Sequence, residues 1–545
     1  MHLNDFFTDK IAQKAGFIKS QGQGNPIITG LEYDSRKVKE GNLYFALPGL
    51  HTDGHVFIGE VLAKGASVIV HQNELNKDDF SHLEIPENTF RDTVFIRVTD
   101  SRFAMSPIVA SYYGFPSEKL VLIGVTGTEG KSTTVYLIWQ LLVLTGKKAG
   151  FISTVQYSDG FEAQWNPEHQ TTPEATAIHF RLSEMVKNGA EYAVIEASSH
   201  GLSPKTNRLG DVAFDAAVMT TVTHEHLEFH GSWEKYRDDK ANLFRSLDSR
   251  AATMANRTTN KVKPIRPFGV INADDNSDAY FASATKQKTF SFSTVKNTKA
   301  DLQLDSIEST AKGNSCKVYN AANGKLFVVE DKLTGSFNAG NVLASLLVAS
   351  ELLGKPAEEL APLASSFRPV RGRMTHVNRG QNFEVLVDYA HTPSSFQTIF
   401  PPLRSRIDKK GGRIISVFGS AGERDTKKRS EQGAIAARYS DIVILADEDP
   451  RGEVPMAILE EIASGCTGKT SNDSELCAKM RRDETLFLVP DRKAAIRKAV
   501  SLARAGDLVI LLGKGHENSI IYKDYSMEYD EITEAEKALE ECTKA

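Results

Sequence analysis

Lys131 and Ser132 follow the small-residue run Gly124-Val125-Thr126-Gly127-Thr128-Glu129-Gly130 and precede Thr133-Thr134. An ammonium and a hydroxyl beside glycines are groups that hold nucleotide phosphates. Backbone N–H groups freed by Gly127 and Gly130 point at phosphate oxygens, Lys131 supplies positive charge, Ser132 is a candidate Mg²⁺ ligand, and a helix N-terminus adds its partial charge. That chemistry requires a strand before the loop and a helix after it. Val121-Leu122-Ile123 supplies an apolar strand, and Val135, Leu137, Ile138, Leu141 and Leu142 recur at helical spacing. An ordinary glycine-rich turn, the alternative, needs neither flank. The generic phosphate-loop spacing wants a glycine where Val125 stands, so the loop belongs to a narrower type.

Further constellations stand behind apolar strands, where the sites of open α/β sheets collect. Glu196-Ala197-Ser198-Ser199-His200-Gly201-Leu202 ends one strand, which puts Glu196 within reach of the phosphate loop. Thr220-Thr221-Val222-Thr223-His224-Glu225-His226-Leu227-Glu228 follows another. Two histidines among carboxylates invite a zinc reading, but the pattern also suits a Mg²⁺ shell beside ATP, the alternative being a structural, solvated role that the phosphate loop disfavours. Lys240, in Tyr236-Arg237-Asp238-Asp239-Lys240, reads either as a solvated lysine or as an anchor whose carbamate a cation would hold. Arg371-Gly372-Arg373 and the strand-terminal Asp388 are what an ATP site shared by two domains needs, or they are surface ion-pair residues.

Taken together these segments resemble the Mur ligases and their folylpolyglutamate synthetase relatives, which join an amine to a carboxylate using ATP. Gly127-Thr128-Glu129-Gly130-Lys131-Ser132-Thr133 is similar to the family's phosphate loop, with Glu129 where Asn is usual. Glu196 to Leu202 resembles E-x-S-S-H-G-L, and Thr223 to Glu228 resembles T-H-D-H-L-D with both Asp replaced by Glu. Tyr236-x₃-Lys240-x₃-Phe244 resembles a helix whose lysine is carbamylated by CO₂. Gly335-Ser336-Phe337-Asn338-Ala339-Gly340-Asn341, Arg371-Gly372-Arg373-Met374 and Val387-Asp388-Tyr389-Ala390-His391-Thr392-Pro393 resemble G-x-F-N-x-x-N, G-R-M/F-E and V-D-Y-A-H-T-P. The resemblance implies ATP on Gly127 to Thr133, with Asn341 near adenine, Arg373 at the phosphates and Asp388 at the ribose. It implies Mg²⁺ at Ser132, Glu196, His226 and a carbamylated Lys240, and catalysis by Lys131, Glu196, His226, Lys240 and Arg373.

Within the family the chain resembles the branch that adds the third residue of the peptide. Asp34-Ser35-Arg36 with Gly41-Asn42-Leu43-Tyr44-Phe45-Ala46 looks like its uridine-binding segment and implies Ser35 as a contact. Thr171-Thr172-Pro173 looks like the muramoyl-peptide segment, with Ser198 and Arg208 as further contacts. Gly422-Glu423-Arg424-Asp425, Glu448-Asp449-Pro450-Arg451 and Gly513-Lys514-Gly515-His516-Glu517 resemble G-D-R-D, D-N-P-R and G-K-G-H-E. They imply Arg424, Glu448, Asp449, Pro450, Arg451, Gly513 and Glu517 as readers of the incoming amino acid.

The implied reaction activates the D-Glu γ-carboxylate of UDP-MurNAc-L-Ala-D-Glu as an acyl phosphate and passes it to a diamino acid. Asp449 in place of Asn, if it faces the pocket beside Glu517, adds negative charge and favours L-lysine or L-ornithine over meso-diaminopimelate, whose far end carries a carboxylate. Arg451 either pairs with that distal carboxylate or forms a structural ion pair. Sister ligases share the phosphate loop but not the D-S-R and G-K-G-H-E segments together. A P-loop kinase or binding module would use or bind ATP without an amino acid.

The remaining constraints are compositional. At 545 residues the chain exceeds one core, and its 41% hydrophobic and 25% charged content is ordinary for a globular protein. The expected fold is α/β in three domains. The boundaries fall at 1–115, 116–361 and 362–545, and the resemblance implies a small α/β UDP-MurNAc-binding domain, a central P-loop, largely parallel-sheet domain and a Rossmann-like amino-acid-binding domain, in that order. Strands are expected at Tyr192 to Glu196, Phe214 to Met219, Ile414 to Phe418, Ile442 to Leu445, Leu486 to Val489 and Leu508 to Leu512. A helix is expected from Trp233 to Phe244. A net charge of -5 disfavours nucleic acid as partner. No apolar run approaches the roughly 18 residues of a span, and the start lacks a signal peptide's regions, so a cytoplasmic protein is expected; small-molecule substrates and a monomer are expected alongside the resemblance. Cys316, Cys466, Cys477 and Cys542 show no paired spacing, which suggests neither a disulfide framework nor a zinc ribbon.

Overall fold

The structure is a computed structural model that describes residues 1–22, 24–49, 52–75, 92–166, 170–223, 227–253, 265–296, 299–310, 312–467 and 480–544. It forms two compact units, Met1–Phe292 with Leu347–Gly354, and Ser293–Leu346 with Lys355–Ala545.

The first unit holds two sheets. The smaller runs, edge to edge, Phe17–Gln21, Val94–Val98, Val68–His71, Asn42–Phe45 and Gly30–Glu32, parallel except for the first strand. Val68–His71 and Asn42–Phe45 are buried throughout, and the helix Ser101–Tyr112 covers one face. The larger sheet places Val121–Thr126 between Tyr192–Glu196 and Ala216–Met219, with Ala149–Ile152 outside the former and Phe268–Asn272 outside the latter, all parallel. These five strands are buried end to end and read as unbroken apolar runs, the signature of strands covered on both faces.

Two glycines in this sheet set the position of a functional helix. A Cβ on Gly124 would lie 2.5 Å from Leu243 and 2.9 Å from Phe214, and one on Gly269 would lie 2.7 Å from Phe244. The helix Trp233–Thr253 therefore beds directly on the sheet, which carries Lys240 to the phosphate loop. The helix runs nine residues past its expected end at Phe244, because Leu247 and Arg250 continue the inward face begun by Tyr236, Lys240 and Leu243. Arg250 ends that face in a buried ion pair with Asp215, Nε to Oδ1 2.8 Å. Asp215 also accepts from the Leu122 N–H at 2.9 Å, and the strand expected from Phe214 begins at Ala216.

In the second unit, Leu302–Thr310, Gly313–Asn320 and Lys325–Asp331 make an antiparallel meander. A six-stranded sheet follows in the order Thr375–His376, Glu384–Asp388, Leu508–Leu512, Ile414–Phe418, Ile442–Leu445, Leu486–Leu488, all parallel after the first. Separate apolar clusters fill its two faces, one around Phe396, Phe400 and Ile462, the other around Ile496, Ala535 and Leu539. In such a doubly covered sheet the loops at the carboxyl ends of the strands form the crevice. Here those loops begin at Tyr389, Gly419, Ala446 and Gly513.

Candidate functional site

Gly127 leaves the central strand at φ 147° and Gly130 opens the helix Lys131–Leu144 at φ 82°, conformations that only glycine adopts without strain. A Cβ on Gly127 would overlap Thr220 Oγ1, so the loop lies flat on the segment that follows the neighbouring strand. Thr220 donates to the Glu129 carbonyl at 2.6 Å, and the Thr128 N–H donates to the Thr221 carbonyl at 2.5 Å. Lys131 curls back so that Nζ donates to the Thr128 carbonyl at 2.7 Å.

Glu196, at the end of its strand and 2% exposed, stands beside the loop. Ser132 Oγ lies 3.0 Å from both of its carboxylate oxygens. Thr154 donates to Oε2 from its N–H at 2.8 Å and from its hydroxyl at 2.9 Å. Thr154 was not singled out from the sequence, although its place after the strand Ala149–Ile152 is the available signal. An oxygen-rich pair of hydroxyl and carboxylate beside a phosphate loop fits Mg²⁺.

Lys240 is 2% exposed, and its Nζ donates to the Gly127 carbonyl at 2.5 Å and faces the Tyr236 ring at 4.4 Å. Tyr236 OH and Thr128 Oγ1 are 2.9 Å apart, which ties that helix to the loop a second time. His226, with His224 and Glu225, lies outside the described residues. His230, a turn further on, links Asp239 at 2.8 Å to Ser199 at 3.0 Å.

The Thr171-Thr172-Pro173 segment joins the same cluster. Thr172 Oγ1 donates to the Glu196 carbonyl and accepts from the Ser198 N–H, both at 2.9 Å, and Ser198 Oγ caps the Gly201 N–H at 3.1 Å. Arg208 donates to the Thr172 carbonyl and to Glu174 Oε1, both at 2.8 Å, and Arg102 reaches the same Glu174 oxygen at 3.1 Å. Ser35 is buried and its carbonyl accepts from Lys64 at 2.8 Å, while Asp34 and Arg36 pair at 2.8 Å.

In the second unit Arg373 lies over the Tyr389 ring at 4.7 Å. Asp388 accepts from the Met374 N–H at 2.8 Å and the Ala390 N–H at 2.7 Å; burial raises its pKa, with Arg373 opposing. Asn341 donates to Asn338 at 2.9 Å. His516, packed 4.6 Å from Tyr389, is held well below the usual histidine range by burial and by Arg373.

Lys514 is fully buried and bridges Asp449 Oδ1 at 2.8 Å and Glu517 Oε2 at 2.6 Å. Burial alone would lower its pKa, but Glu517 and Asp449 outweigh it and hold the ammonium above its ordinary value. Asp449, read as adding negative charge if it faced the pocket beside Glu517, shares a cation with that residue. The sequence reading gave Lys514 no role of its own.

Glu448 is buried with Oε2 unpartnered among the described residues, and a Cβ on Gly513 would come within 2.8 Å of that oxygen. The Pro450 carbonyl accepts from the Glu453 N–H at 3.1 Å and lies against Gly422, where a Cβ would overlap it. Arg451 takes φ 54° and its Nε is buried without a partner among the described residues. Asp447 is raised to about 6 by burial, against the Tyr522 hydroxyl that donates to it at 3.0 Å. Arg424 is exposed on the loop after Phe418.

Comparison with known proteins matches this arrangement to three family descriptions: Mur ligase family, catalytic domain over residues 27–113; Mur ligase middle domain over 125–349; and Mur ligase, glutamate ligase domain over 372–515. The UDP-N-acetylmuramyl-tripeptide synthetase of Treponema denticola is 49% identical over 96% of each chain, and that of Treponema pallidum 45% over 94% of this chain and 93% of its own. The UDP-N-acetylmuramoyl-L-alanyl-D-glutamate–2,6-diaminopimelate ligase of Geobacillus kaustophilus is 36% identical over 95% and 96%. A solved structure of a ligase of that last name superposes with a TM-score of 0.58 at 26% identity over 95% of both chains. The MurF ligase of Thermotoga maritima in complex with ADP shares the fold, with a TM-score of 0.60 at 18% identity over 95% of this chain and 100% of its own. Identity at this level, over nearly the full length and around one phosphate loop, shows that the chain belongs to the Mur ligase family of ATP-dependent amide-forming enzymes.

Proposed function

We propose that this ligase adds a diamino acid to the γ-carboxylate of D-Glu in UDP-MurNAc-L-Ala-D-Glu, in cytoplasmic synthesis of peptidoglycan precursors. The observation that carries the reading is the junction of Ser132 with Glu196, a buried carboxylate joined to the phosphate-loop helix and, through Thr172, to the muramoyl-peptide segment. The branch rests on the tripeptide synthetases that resemble the chain over its whole length.

In this reading Gly127 to Thr133, with Lys131 and Arg373, receive the phosphates of ATP, Asn341 lies toward adenine and Asp388 toward the ribose. Ser132 and Glu196, with His226 and a carbamylated Lys240, would hold Mg²⁺, which would supply neutralisation of phosphate charge. Lys131 and Arg373 stabilise charge as the γ-phosphoryl moves to the D-Glu carboxylate oxygen, giving an acyl phosphate and ADP. Ser35, Thr171, Thr172, Ser198 and Arg208 orient the nucleotide-linked dipeptide. The α-amine of the diamino acid, placed by Arg424, Glu448 to Arg451, Gly513 and Glu517, attacks the acyl carbon and expels phosphate. Domain limits at 1–115, 116–361 and 362–545 fit these roles, in a monomer.

Glu448, Asp449 and Glu517 outnumber Lys514 around the amino-acid segments, which favours L-lysine or L-ornithine with a bare distal ammonium. The second reading, meso-diaminopimelate, is favoured by the Nε of Arg451, which has no partner among the described residues. The test is phosphate release with ATP and UDP-MurNAc-dipeptide, with each of the three amino acids and with none. Amino-acid-dependent release supports a ligase of this branch. Release independent of both co-substrates rejects it.

A further inference from the structure

Two loops leave adjacent parallel strands, Ile414–Phe418 and Ile442–Leu445, and each carries one non-glycine residue in the left-handed region: Glu423 at φ 56° and Arg451 at φ 54°. Side chains with a Cβ avoid that region, so surrounding contacts must hold both. The loops meet at Gly422, whose N–H donates to the Asp449 carbonyl at 2.8 Å and where a Cβ would overlap the Pro450 carbonyl. One side chain closes the junction. Glu453 Oε1 accepts from the Glu423 N–H at 2.6 Å, and its two oxygens take the guanidinium of Arg429 at 2.9 and 2.8 Å. Arg429 is fully buried and also donates to the Ala421 carbonyl at 3.2 Å, so it grips the first loop from beneath. The Glu453 N–H donates to the Pro450 carbonyl at 3.1 Å, and the Arg451 N–H to the Ile521 carbonyl at 2.9 Å.

We propose that Glu453 is a positioning residue for selection of the incoming amino acid, locking the loop of Arg424 onto the segment of Asp449 to Arg451. The proposal rests on the reading that those residues receive the amino acid. A carboxylate that takes a fork from Arg429 and a strained backbone N–H at once fixes direction as well as distance. Glu461 provides an internal control, since it accepts from Arg429 at 2.9 Å from the helix Pro455–Cys466.

The experiment is steady-state kinetics of the full chain for Glu453→Ala, Glu453→Gln and Glu461→Gln, with Arg451→Ala in parallel and L-lysine, L-ornithine and meso-diaminopimelate as amines. Glu453→Ala is expected to raise the amino-acid KM about 10-fold or more and to change the kcat/KM ratios among the three amines, since misplacement near a site costs on this scale. The KM values for ATP and UDP-MurNAc-dipeptide stay within about 2-fold, because uniform binding elsewhere is untouched. Glu453→Gln keeps an acceptor for the Glu423 N–H and recovers part of the loss, and it carries the test if the alanine variant does not fold. Glu461→Gln behaves as the parent.

An unchanged amino-acid KM in Glu453→Ala, an equal rise in all three KM values, or an equal effect of Glu461→Gln overturns the proposal. If Arg451→Ala raises the amino-acid KM and Glu453→Ala does not, the inference fails alone. If neither does, the assignment of the amino-acid segment fails with it.

Discussion

Lys514 and Asp449 form an ion pair in which the ammonium is wholly buried, Nζ 2.8 Å from Oδ1. The same Asp449 oxygen accepts from the Ile521 N–H at 3.0 Å, so the carboxylate is fixed by a charge and by the backbone together. Its negative charge is met locally and does not act alone on a bound amino acid. On the proposal that these segments receive the amino acid, discrimination follows the sum over Glu448, Asp449 and Glu517 against Lys514 and Arg451.

That sum gives the first expectation. The kcat/KM for L-lysine or L-ornithine exceeds that for meso-diaminopimelate, and Asp449→Asn narrows the gap while leaving Lys514 its contact with Glu517. Loss of one charged partner on a buried ammonium costs about 1–3 kcal/mol of stability, read by denaturant unfolding. A kcat/KM for meso-diaminopimelate well above the other two rejects the lysine or ornithine assignment and gives Arg451 the carboxylate.

Glu196 and Lys131 act where negative charge concentrates. Lys131→Ala and Glu196→Ala each lower kcat by about 10²- to 10³-fold, the usual loss for one preorganised electrostatic group, with far-UV circular dichroism unchanged. Thr154→Val removes only a hydroxyl from the four contacts on Glu196 and costs less, on the order of 10-fold. Near-parental turnover in either charge variant removes that residue from the site.

The contrast between Glu196 and Thr154 marks what the sequence made legible. Elements that repeat a period were readable: Ile414–Phe418, Ile442–Leu445 and Leu508–Leu512 lie where their apolar runs put them. The helix from Trp233 runs past Phe244 because Leu247 and Arg250 continue its inward face, and the partner that holds Arg250, Asp215, lies 35 positions away. In the site, residues set in motifs stood out, and those that act through a partner did not. Thr154 meets Glu196 from 42 positions away, Lys514 meets Asp449 from 65, and Glu453 meets the Glu423 N–H from 30. Asp449 had Arg451 as its nearest candidate partner in sequence, and the ammonium that meets it, Lys514, stands 65 positions away.

His179 yields a pH prediction in the first unit. It is fully buried on the helix Ala175–Lys187, neither ring nitrogen has a partner among the described residues, and burial lowers its pKa from 6.5 to about 4, with Asp211 opposing. The folded state keeps the ring neutral, whereas the unfolded chain binds a proton below pH 6.5. Its contribution is therefore fully present above pH 6.5 and is lost as the pH falls toward 4, about 3 kcal/mol in all. His179→Leu should remove that slope. The check is unfolding free energy of parent and variant at steps from pH 7 to 4, and parallel curves reject the assignment. Taking the difference matters because Asp331 and Asp447, both raised to about 6 by burial, contribute with the opposite sign in the same range.

Lys240 carries the last prediction. Its ammonium is buried against the Gly127 carbonyl and the Tyr236 ring, beside the loop proposed to receive phosphates. A bare cation there attracts phosphate but ligates no metal. Reaction of the neutral amine with CO₂ releases a proton and gives a carbamate anion, which can hold a divalent cation in place. Lys240→Ala should lower kcat by at least about 10²-fold, as for other groups that stabilise developing charge. Added formate or acetate at millimolar concentration should restore part of the activity by filling the vacated anionic position. Lys240→Arg, which keeps the positive charge but cannot form a carbamate, should be as inactive as the alanine variant and should not respond to carboxylates. The measurement is turnover at saturating ATP and amino acid, in CO₂-depleted and bicarbonate-supplied buffer. Full activity of the parent after CO₂ depletion, or an active Lys240→Arg, leaves Lys240 as a cationic anchor of the phosphate loop and excludes the carbamate.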